Sequence, residues 1–364
     1  MSGTPYTRGT SRRTPRTFVR RGGAPRPSLL RLPTVGIDIG GTKIAAGVVD
    51  GEGRILEQLR TETPHRSKSP QVVEDTITEL VLQLADRHDV HAVGIGAAGF
   101  VDADRARVLF APHLSWRNEP LRDALSSRLK LPVVVENDAN AAAWAEWRFG
   151  AGAGEDHLVM VNLGTGIGGA IVRDGWLERG RYGMAAEFGH MTVVPGGHRC
   201  PCGNRGCWEQ YSSGNALVRE ARELAAAESP VAEPLLERVG GDVLAITGPL
   251  VTEAAQQGDA VAVELLQEIG HWLGLGIANL AAALDPGRFV IGGGVSAAGE
   301  LLVGPAREAY RRNLSGRGFR PEADIVLAKL GNEAGLVGAA DLARQVARRF
   351  RTVKRSRVER QTRG

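Results

Sequence analysis

A pattern of two short strands joined by a glycine-rich bend occurs twice in this chain of 364 residues, and it limits the possible folds more than any other feature. The first copy covers residues 35–49 and is followed by Asp50-Gly51, a dipeptide typical of tight hairpin turns. The second copy covers residues 157–173 and is followed by Asp174-Gly175. Because one plan recurs at this separation, we predict two α/β domains of common ancestry.

The glycines of the second copy argue against two familiar classes of nucleotide-binding enzyme. Gly164, Gly166 and Gly169 match the G-x-G-x-x-G pattern of dinucleotide-binding proteins, but that pattern requires a helix to follow. Here a second strand follows, and the chain has no G-x-x-x-x-G-K-[ST] motif. Two glycine-rich bends that carry threonine hydroxyls can instead hold a polyphosphate from both sides. Either bend taken alone would equally be explained as a tight turn.

A third group of glycines follows a predicted helix over residues 268–283 and a buried strand over residues 288–291. Gly292, Gly293 and Gly294 then precede a helix that contains alanine and glutamate. Bare backbone between a buried strand and a helix is a place where a flat base or a phosphate can lie.

All three cysteines of the chain, Cys200, Cys202 and Cys207, lie within eight positions, and His190 stands ten residues before the first. Three thiolates and one imidazole make a complete tetrahedral zinc shell, which leaves no open position for a metal-bound water. We therefore predict a structural zinc flanked by Glu187 and Glu209. The alternative is a cluster of buried cysteines without metal.

Asp138 is the candidate catalytic base. Residues 131–135 read as a buried strand, residues 136–138 as its polar end, and residues 139–146 as a helix. A carboxylate between a strand end and a helix start lies where α/β proteins place reacting groups. Asn137 and Asp138 are also favoured helix caps, so capping and catalysis both stay open for this segment.

The positive charge of the chain is concentrated at its ends. Residues 1–32 carry eight arginines and no acid, and residues 343–364 carry a surplus of eight basic groups, which leaves about −12 for residues 33–342. The first 32 residues lack apolar periodicity and are expected to be a disordered tail. A solvated tail or an upstream start codon explains them better than an arm for nucleic acid, so no nucleic-acid partner is expected.

The composition also predicts the compartment. No apolar run approaches the roughly 20 residues that a membrane helix needs, so no membrane association is expected. The thiols cannot form a disulfide framework, and no apolar segment of an export signal follows the arginine pairs near the N-terminus. We therefore expect a cytoplasmic protein.

Taken together, these residues resemble the ROK family of sugar kinases and repressors, most closely its bacterial ATP-dependent glucokinases. The resemblance extends from about residue 35 to residue 343. It rests on Asp38-Ile-Gly-Gly-Thr-Lys43, Glu136-Asn-Asp138, Leu163-Gly-Thr-Gly166, Glu187-Phe-Gly-His190, Cys200-Pro-Cys-Gly-Asn-Arg-Gly-Cys207 with Glu209, and Ile291-Gly-Gly-Gly-Val-Ser296.

The resemblance implies the actin/hexokinase-like fold, in which two α/β domains flank a cleft and the C-terminal helix returns to the first domain. The expected domains are residues 33–138 with 333–349, and residues 139–332 with the zinc loop, between a basic tail over residues 1–32 and another over residues 350–364. A homodimer or homotetramer is also expected.

The resemblance further implies roles for individual residues. Asp138 corresponds to the general base on the 6-hydroxyl of a hexose, and Asp38 to the carboxylate that meets the Mg²⁺ of ATP. The implied sugar-binding residues are Gly99, Asn137, Asp138, Glu187, His190 and Glu209. The implied ATP-binding residues are Asp38, Gly40, Gly41, Thr42, Lys43, Gly164, Thr165, Gly166, Gly292, Gly293 and Gly294, and the zinc ligands are His190, Cys200, Cys202 and Cys207.

The implied reaction is phosphorylation of a hexose by ATP, with glucose favoured. The alternatives are a kinase for another hexose or an N-acetylhexosamine, a polyphosphate-using glucokinase, and a sugar-sensing regulator without kinase activity. The chain departs from the family at Pro112-His113-Leu114, where Pro-Asn-Leu is expected, so one sugar contact stays open.

Overall fold

This computed structural model of the protein describes residues 32–361, with side-chain environments for residues 32–347. The predicted N-terminal tail therefore lies outside the described residues, apart from Leu32. None of the helices in the described part of the chain is both long and apolar enough to cross a membrane.

The first glycine-rich hairpin forms one side of a five-stranded sheet with the order β3-β2-β1-β4-β8. Its strands are β1 (Thr34–Ile39), β2 (Lys43–Val49), β3 (Ile55–Glu62), β4 (Val93–Ala97) and β8 (Val133–Asn137). β2 pairs antiparallel with both β1 and β3, while β4 pairs parallel with β1 and β8 pairs parallel with β4. Helices α1 (Pro70–Arg87) and α2 (Leu121–Leu129) bury leucine, isoleucine and valine side chains against this sheet. A small sheet of β5 (Phe100–Val101), β6 (Val108–Phe110) and β7 (Arg117–Glu119) follows β4.

The second hairpin forms a sheet with the equivalent order, β11-β10-β9-β12-β13. Its strands are β9 (His157–Leu163), β10 (Ile167–Arg173), β11 (Trp176–Leu177), β12 (Arg288–Gly292) and β13 (Asp324–Leu327). Again the first three are antiparallel and the last two run parallel to the first strand of the hairpin. The shared order confirms that the two copies follow one plan.

Five of the described helices share a hydrophobic core with the second sheet. They are α4 (Gly214–Ala226), α5 (Glu233–Glu237), α6 (Gly248–Gln256), α7 (Ala260–Leu284) and α8 (Glu300–Asn313). The helix predicted over residues 268–283 is therefore shorter than the observed helix, α7. α7 begins at Ala260, because the side chain of Asp259 accepts the N–H of Ala262 and caps the N-terminus of the helix. A 3-10 turn, Gly294–Ala298, also separates the third glycine cluster from α8.

Two helices cross between the sheets. They are α3 (Asp138–Phe149), which leaves the first sheet directly after β8, and α9 (Ala334–Gln361). α9 lies so close to the first sheet that a Cβ on Gly36 or Gly94 would overlap its backbone carbonyls. Gly338 of α9 likewise lies against the carbonyl of Ala141 in α3. The C-terminal helix thus packs on the N-terminal sheet, while the domain boundaries predicted after residues 138 and 332 stay predictions.

A buried polar network fixes α9 in this position. The guanidinium of Arg344 is 2% exposed and pairs with Asp341 at 2.5 Å. It also donates to the carbonyls of Leu32 and Val49 at 2.9 and 2.7 Å and to the Thr34 hydroxyl at 2.9 Å. Arg344, which the charge count placed with the basic C-terminal residues, is therefore part of the core. α9 itself continues through the predicted C-terminal tail as far as Gln361.

Candidate active site

The polar end of β8 carries two side chains with different tasks. Asn137 caps α3, since its Oδ1 accepts the N–H of Asn140 at 3.0 Å. Its Nδ2 donates to Oδ1 of Asp138 at 3.0 Å and to the carbonyl of Gly99 at 3.2 Å. The capping role left open by the sequence thus belongs to Asn137. The carboxylate of Asp138 is oriented by the amide of Asn137 and is not the N-cap acceptor of α3.

Asp38 and Asp138 lie close together at the carboxyl ends of parallel strands. Asp38 pairs with Gly96 across β1 and β4, and the Cα of Asp138 lies 3.7 Å from where a Cβ on Gly96 would be. Burial, together with the neighbouring Asp138 carboxylate, raises the pKa of Asp38 from 3.8 to about 7. Burial also raises the pKa of Asp138, against hydrogen bonds from its backbone, Ala139 and Asn137 that lower it. Two partly buried carboxylates are expensive to ionise side by side, and a divalent cation would relieve that cost.

The bend between β1 and β2 lies beside Asp38. The hydroxyl of Thr63 donates to the carbonyl of Gly40 at 2.8 Å, and the Thr63 N–H donates to the carbonyl of Thr42 at 3.0 Å. These bonds tie the bend to the end of β3, while Gly41, Thr42 and Lys43 stay exposed. The ring of His113 lies 3.2 Å from where a Cβ on Gly41 would be, so the residue that replaces the expected asparagine contacts this bend.

The bend between β9 and β10 is anchored from two sides. The carbonyls of Gly164 and Thr165 accept the N–H groups of Gly214 and Asn215, at the start of α4, at 2.8 and 3.2 Å. On the other side Gly293, at φ 83°, lies so close to Leu163 that a Cβ would overlap the Leu163 backbone. The structure therefore brings the Gly164–Gly166 bend next to the third glycine cluster, while the binding of ATP by these residues stays a prediction.

The four predicted zinc ligands form one cluster. Their ligand atoms all lie within 4.8 Å of one another, with Cys202 Sγ and Cys207 Sγ 3.6 Å apart and Cys200 Sγ 3.7 Å from Nδ1 of His190. A tetrahedral zinc with Zn–S bonds of about 2.3 Å needs ligand separations of about 3.8 Å. The donor set and spacing fit zinc. Because Nδ1 of His190 faces the thiols, Nε2 is the ring nitrogen left for another partner.

Glu209 connects the cysteine cluster with the second bend. Its Oε1 lies 3.1 Å from Cys200 Sγ and 3.8 Å from Nδ1 of His190. Its Oε2 lies against Gly166, where a Cβ would overlap it. Gly166 therefore belongs to the bend and also makes room for a carboxylate of the predicted sugar site.

Glu187 faces the same group of side chains. Burial raises the pKa of its carboxyl, and the carboxylates of Asp138 and Glu209 add to the rise while His190 opposes it. Glu187 is therefore near enough to His190, Glu209 and Asp138 for their charges to act on its carboxyl. The backbone before Glu187 is unusual, because Ala186 adopts φ 69°, which few residues other than glycine adopt.

The structure adds one pair that the sequence prediction missed. The Glu136 side chain is 2% exposed, and its Oε2 accepts Nε and Nη2 of Arg179 at 2.8 and 2.6 Å. The sequence does show an acidic residue at Glu136, directly after the three valines of the predicted buried strand. Nothing local in the sequence indicated that Arg179 was its partner.

The comparisons with known proteins agree with this architecture. The ROK family model matches residues 34–346. The glucokinase of Streptomyces coelicolor is 51% identical over 312 residues, which cover 86% of this chain and 98% of that protein. A ROK family glucokinase of Streptomyces griseus, solved with glucose and AMPPNP, is 55% identical, with a TM-score of 0.79 over 86% of this chain and 99% of that one. The ROK hexokinase of Thermus thermophilus is 36% identical, with a TM-score of 0.72 over 87% and 99%.

The family match covers most of the chain, and the relatives are matched over nearly their whole length. The two equivalent sheets, the paired glycine-rich bends and the cluster of three cysteines with one histidine are all present in the matched region. The chain belongs to the ROK family and has its two-domain mixed α/β fold.

Proposed function

We propose that the protein transfers the γ-phosphoryl group of ATP to the 6-hydroxyl of glucose. The observation that carries this proposal is the position of Asp138, a partly buried carboxylate that is oriented by Asn137 and lies next to Asp38, the residue that precedes the first glycine-rich bend. The named activity of the Streptomyces relatives, and the glucose and AMPPNP in one of their structures, support the same reaction and substrates.

Asp138 would accept the proton of the 6-hydroxyl. Burial raises its pKa, which makes the ionised carboxylate a stronger base than an exposed aspartate. The amide of Asn137 donates to one of its oxygens and fixes its orientation. Phosphoryl transfer needs little covalent help from a protein, so positioning and a proton acceptor are the expected contributions.

The hydroxyls of the sugar would bind to Glu187, His190 and Glu209. Carboxylates and an imidazole discriminate among epimers because the wrong epimer leaves some of these buried groups unpaired. The Nε2 atom of His190 is available for this contact because Nδ1 faces the cysteines.

The phosphates of ATP would lie between the bends at Gly40–Lys43 and Gly164–Gly166, with the nucleoside toward Gly292–Gly294. Asp38 is the residue that would meet Mg²⁺, and the raised pKa of its carboxyl fits a group that needs a cation for stable ionisation. Bound Mg²⁺ supplies charge neutralisation for the transferred phosphoryl group.

Zinc would have a structural role here. Its four ligands, His190, Cys200, Cys202 and Cys207, complete the shell, so it would hold the loop that carries His190 and leads into Glu209. We expect the metal to hold the sugar-binding residues in place and to make no contact with the transferred phosphoryl group.

A coupled assay with a panel of acceptors and donors tests the proposal. The purified protein should form a sugar 6-phosphate fastest from glucose and ATP. Mannose, fructose, N-acetylglucosamine and N-acetylmannosamine test the other hexose specificities, and inorganic polyphosphate tests another donor. Preference for any of these over glucose and ATP would replace the proposed substrate pair, and no transfer to any sugar would favour a sugar-sensing regulator.

A further inference from the structure

The ion pair between Glu136 and Arg179 joins two segments that come from different sheets. Glu136 lies at the end of β8, directly before Asn137 and Asp138. Arg179 follows β11 and begins the loop that leads to Glu187. The pair therefore connects the strand that carries the proposed base with the loop that carries a proposed sugar ligand.

Both oxygens of the Glu136 carboxylate are occupied. Oε2 accepts two N–H groups of Arg179, and Oε1 accepts Nδ2 of Asn140 at 3.0 Å and the N–H of Asn137 at 3.2 Å. The carboxylate is only 2% exposed, so loss of the Arg179 side chain leaves a buried negative charge without its counter-ion. An unpaired buried carboxylate would have to move or take up a proton. Either change acts on Asn137, which orients Asp138.

The loop that follows Arg179 is short and held at both ends. The carbonyl of Arg179 accepts the N–H of Ala185 at 3.1 Å, which closes residues 179–185 into a compact turn. Gly183, in the middle, lies so close to the backbone of residues 101–103 that a Cβ would overlap it. Ala186 then leaves the turn at φ 69° and sets the direction of Glu187. A displacement of the Arg179 backbone would therefore be transmitted to Glu187 through a short segment with few free torsion angles.

We infer that Glu136 and Arg179 form a positioning pair that sets the spacing between Asp138 and Glu187, and through it the orientation of the hexose. The inference rests on the proposed function. Neither side chain touches the reacting atoms. The pair acts because a sugar held by Glu187 must present its 6-hydroxyl to Asp138, and a displacement of about 1 Å between the two is enough to cost about a hundredfold in rate.

The contact requires a guanidinium. Arg179 donates from Nε and Nη2 to one oxygen and from Nη1 to the carbonyl of Leu177 at 3.3 Å, so it spans two acceptors in a fixed plane. A lysine ammonium has the charge but lacks this planar set of donors. Arg179→Lys therefore separates geometry from charge, while Arg179→Gln removes both the charge and most of the donors.

The experiment compares these two variants with Arg173→Gln. Arg173 makes an exposed ion pair with Glu178 at 2.7 Å in the same region of the second sheet, so the control loses an arginine without touching β8. Steady-state kinetics with glucose and ATP, the ratio of ADP to glucose 6-phosphate formed, and the melting temperature are measured for each protein. A misplaced sugar lets water compete as acceptor, which raises that ratio above one.

We expect both Arg179 variants to lose at least about tenfold in kcat/KM for glucose, with a raised ADP ratio and an ATP KM within about threefold of wild type. Arg173→Gln should match the wild type. If Arg179→Lys and Arg179→Gln stay within threefold of Arg173→Gln, the positioning role is wrong. A parallel rise in the KM values for ATP and glucose, with a ratio of one, would also overturn it, since that pattern indicates general loss of structure. A wild-type protein inactive on glucose would overturn the proposed function itself, and the inference with it.

Discussion

The high pKa of Asp38 predicts a specific dependence of stability on pH. Its carboxyl has a pKa of about 7 in the folded, substrate-free protein against 3.8 for an ordinary aspartate, chiefly because it is buried and secondly because Asp138 is near. The folded state therefore holds the Asp38 proton more tightly than the unfolded chain between these values. The free energy of unfolding falls as pH rises through this window, and the full penalty is present above about pH 7.

Asp38→Asn removes this penalty, because the amide stays neutral at every pH in the range. A difference of one in pKa corresponds to about 1.4 kcal/mol, so the variant should gain about 1 kcal/mol near pH 4.5 and about 4 kcal/mol near pH 8. With an unfolding entropy of about 2.1 cal/mol/K per residue, the larger gain raises the Tm by roughly 6 °C.

The assay is the difference in Tm between Asp38→Asn and wild type, measured in magnesium- and nucleotide-free buffer at both pH values. Asp50→Asn is a matched control of opposite sign. Burial pushes the pKa of Asp50 upward, but hydrogen bonds from Arg54 and Glu52 outweigh burial and hold it below the ordinary value. That variant should lose stability at pH 8 and recover at low pH. An Asp38→Asn difference that is equal at the two pH values would refute the reasoning.

Three further changes test other parts of the structure. Asp138→Asn should fold and bind glucose but lose about 10² to 10⁴-fold in kcat, because it lacks the proton acceptor; a variant that keeps more than about a third of wild-type kcat would contradict its role as base. Cys202→Ala should weaken glucose binding far more than ATP binding in isothermal titration, while elemental analysis of the wild type should find one zinc per chain; unchanged glucose affinity would contradict the role of the cluster. Gly338→Ala should lower the free energy of unfolding by about 1–3 kcal/mol, because its Cβ would overlap the carbonyl of Ala141. In chemical denaturation, a loss within about 0.5 kcal/mol, as for an ordinary surface substitution, would contradict the close-contact argument.

The sequence predicted the features that depend on neighbours in the chain. Glycine-rich bends and Asp-Gly turns define each hairpin within about 20 residues, so both copies of the hairpin were predicted from local signals, whereas the order of the strands in the two sheets was not predicted. The four candidate zinc ligands were likewise predicted as a group, because they lie within eighteen positions of the chain and their chemistry is specific, and the structure brings their ligand atoms together. The start of α7 was missed although its signal, Asp259 as a cap, was present.

What the sequence could not predict depends on pairs that are distant in the chain. Glu136 and Arg179 are 43 residues apart, and Arg344 reaches Thr34 across 310. Such pairs are fixed by the packing of whole sheets and helices, which periodicity does not encode. Which of Asn137 and Asp138 caps α3 also needed the structure, because both residue types cap helices and only the hydrogen bonds separate them.

The packing of α9 on the first sheet has a consequence for the order of folding. β8 ends at Asn137, but the helix that covers Gly36 and Gly94 begins at Ala334, about 200 residues later. A ribosome that adds about 5–20 residues per second needs about 10–40 seconds to synthesise that interval. Throughout that time the nascent N-terminal sheet has one face without its partner.

All strands of the second sheet, in contrast, lie in one continuous stretch of the chain that begins with β9 and ends with β13. The hydrophobic core on one of its faces, formed by residues 159–325, can therefore be completed before α9 is synthesised, although this sheet emerges later. The first half of the chain thus depends on the last helix, and shortening α9 from its C-terminal end should affect the sheet that was synthesised first. A nascent chain with an open apolar sheet is also the form most exposed to aggregation, so we expect the yield of folded protein to be sensitive to changes in α9.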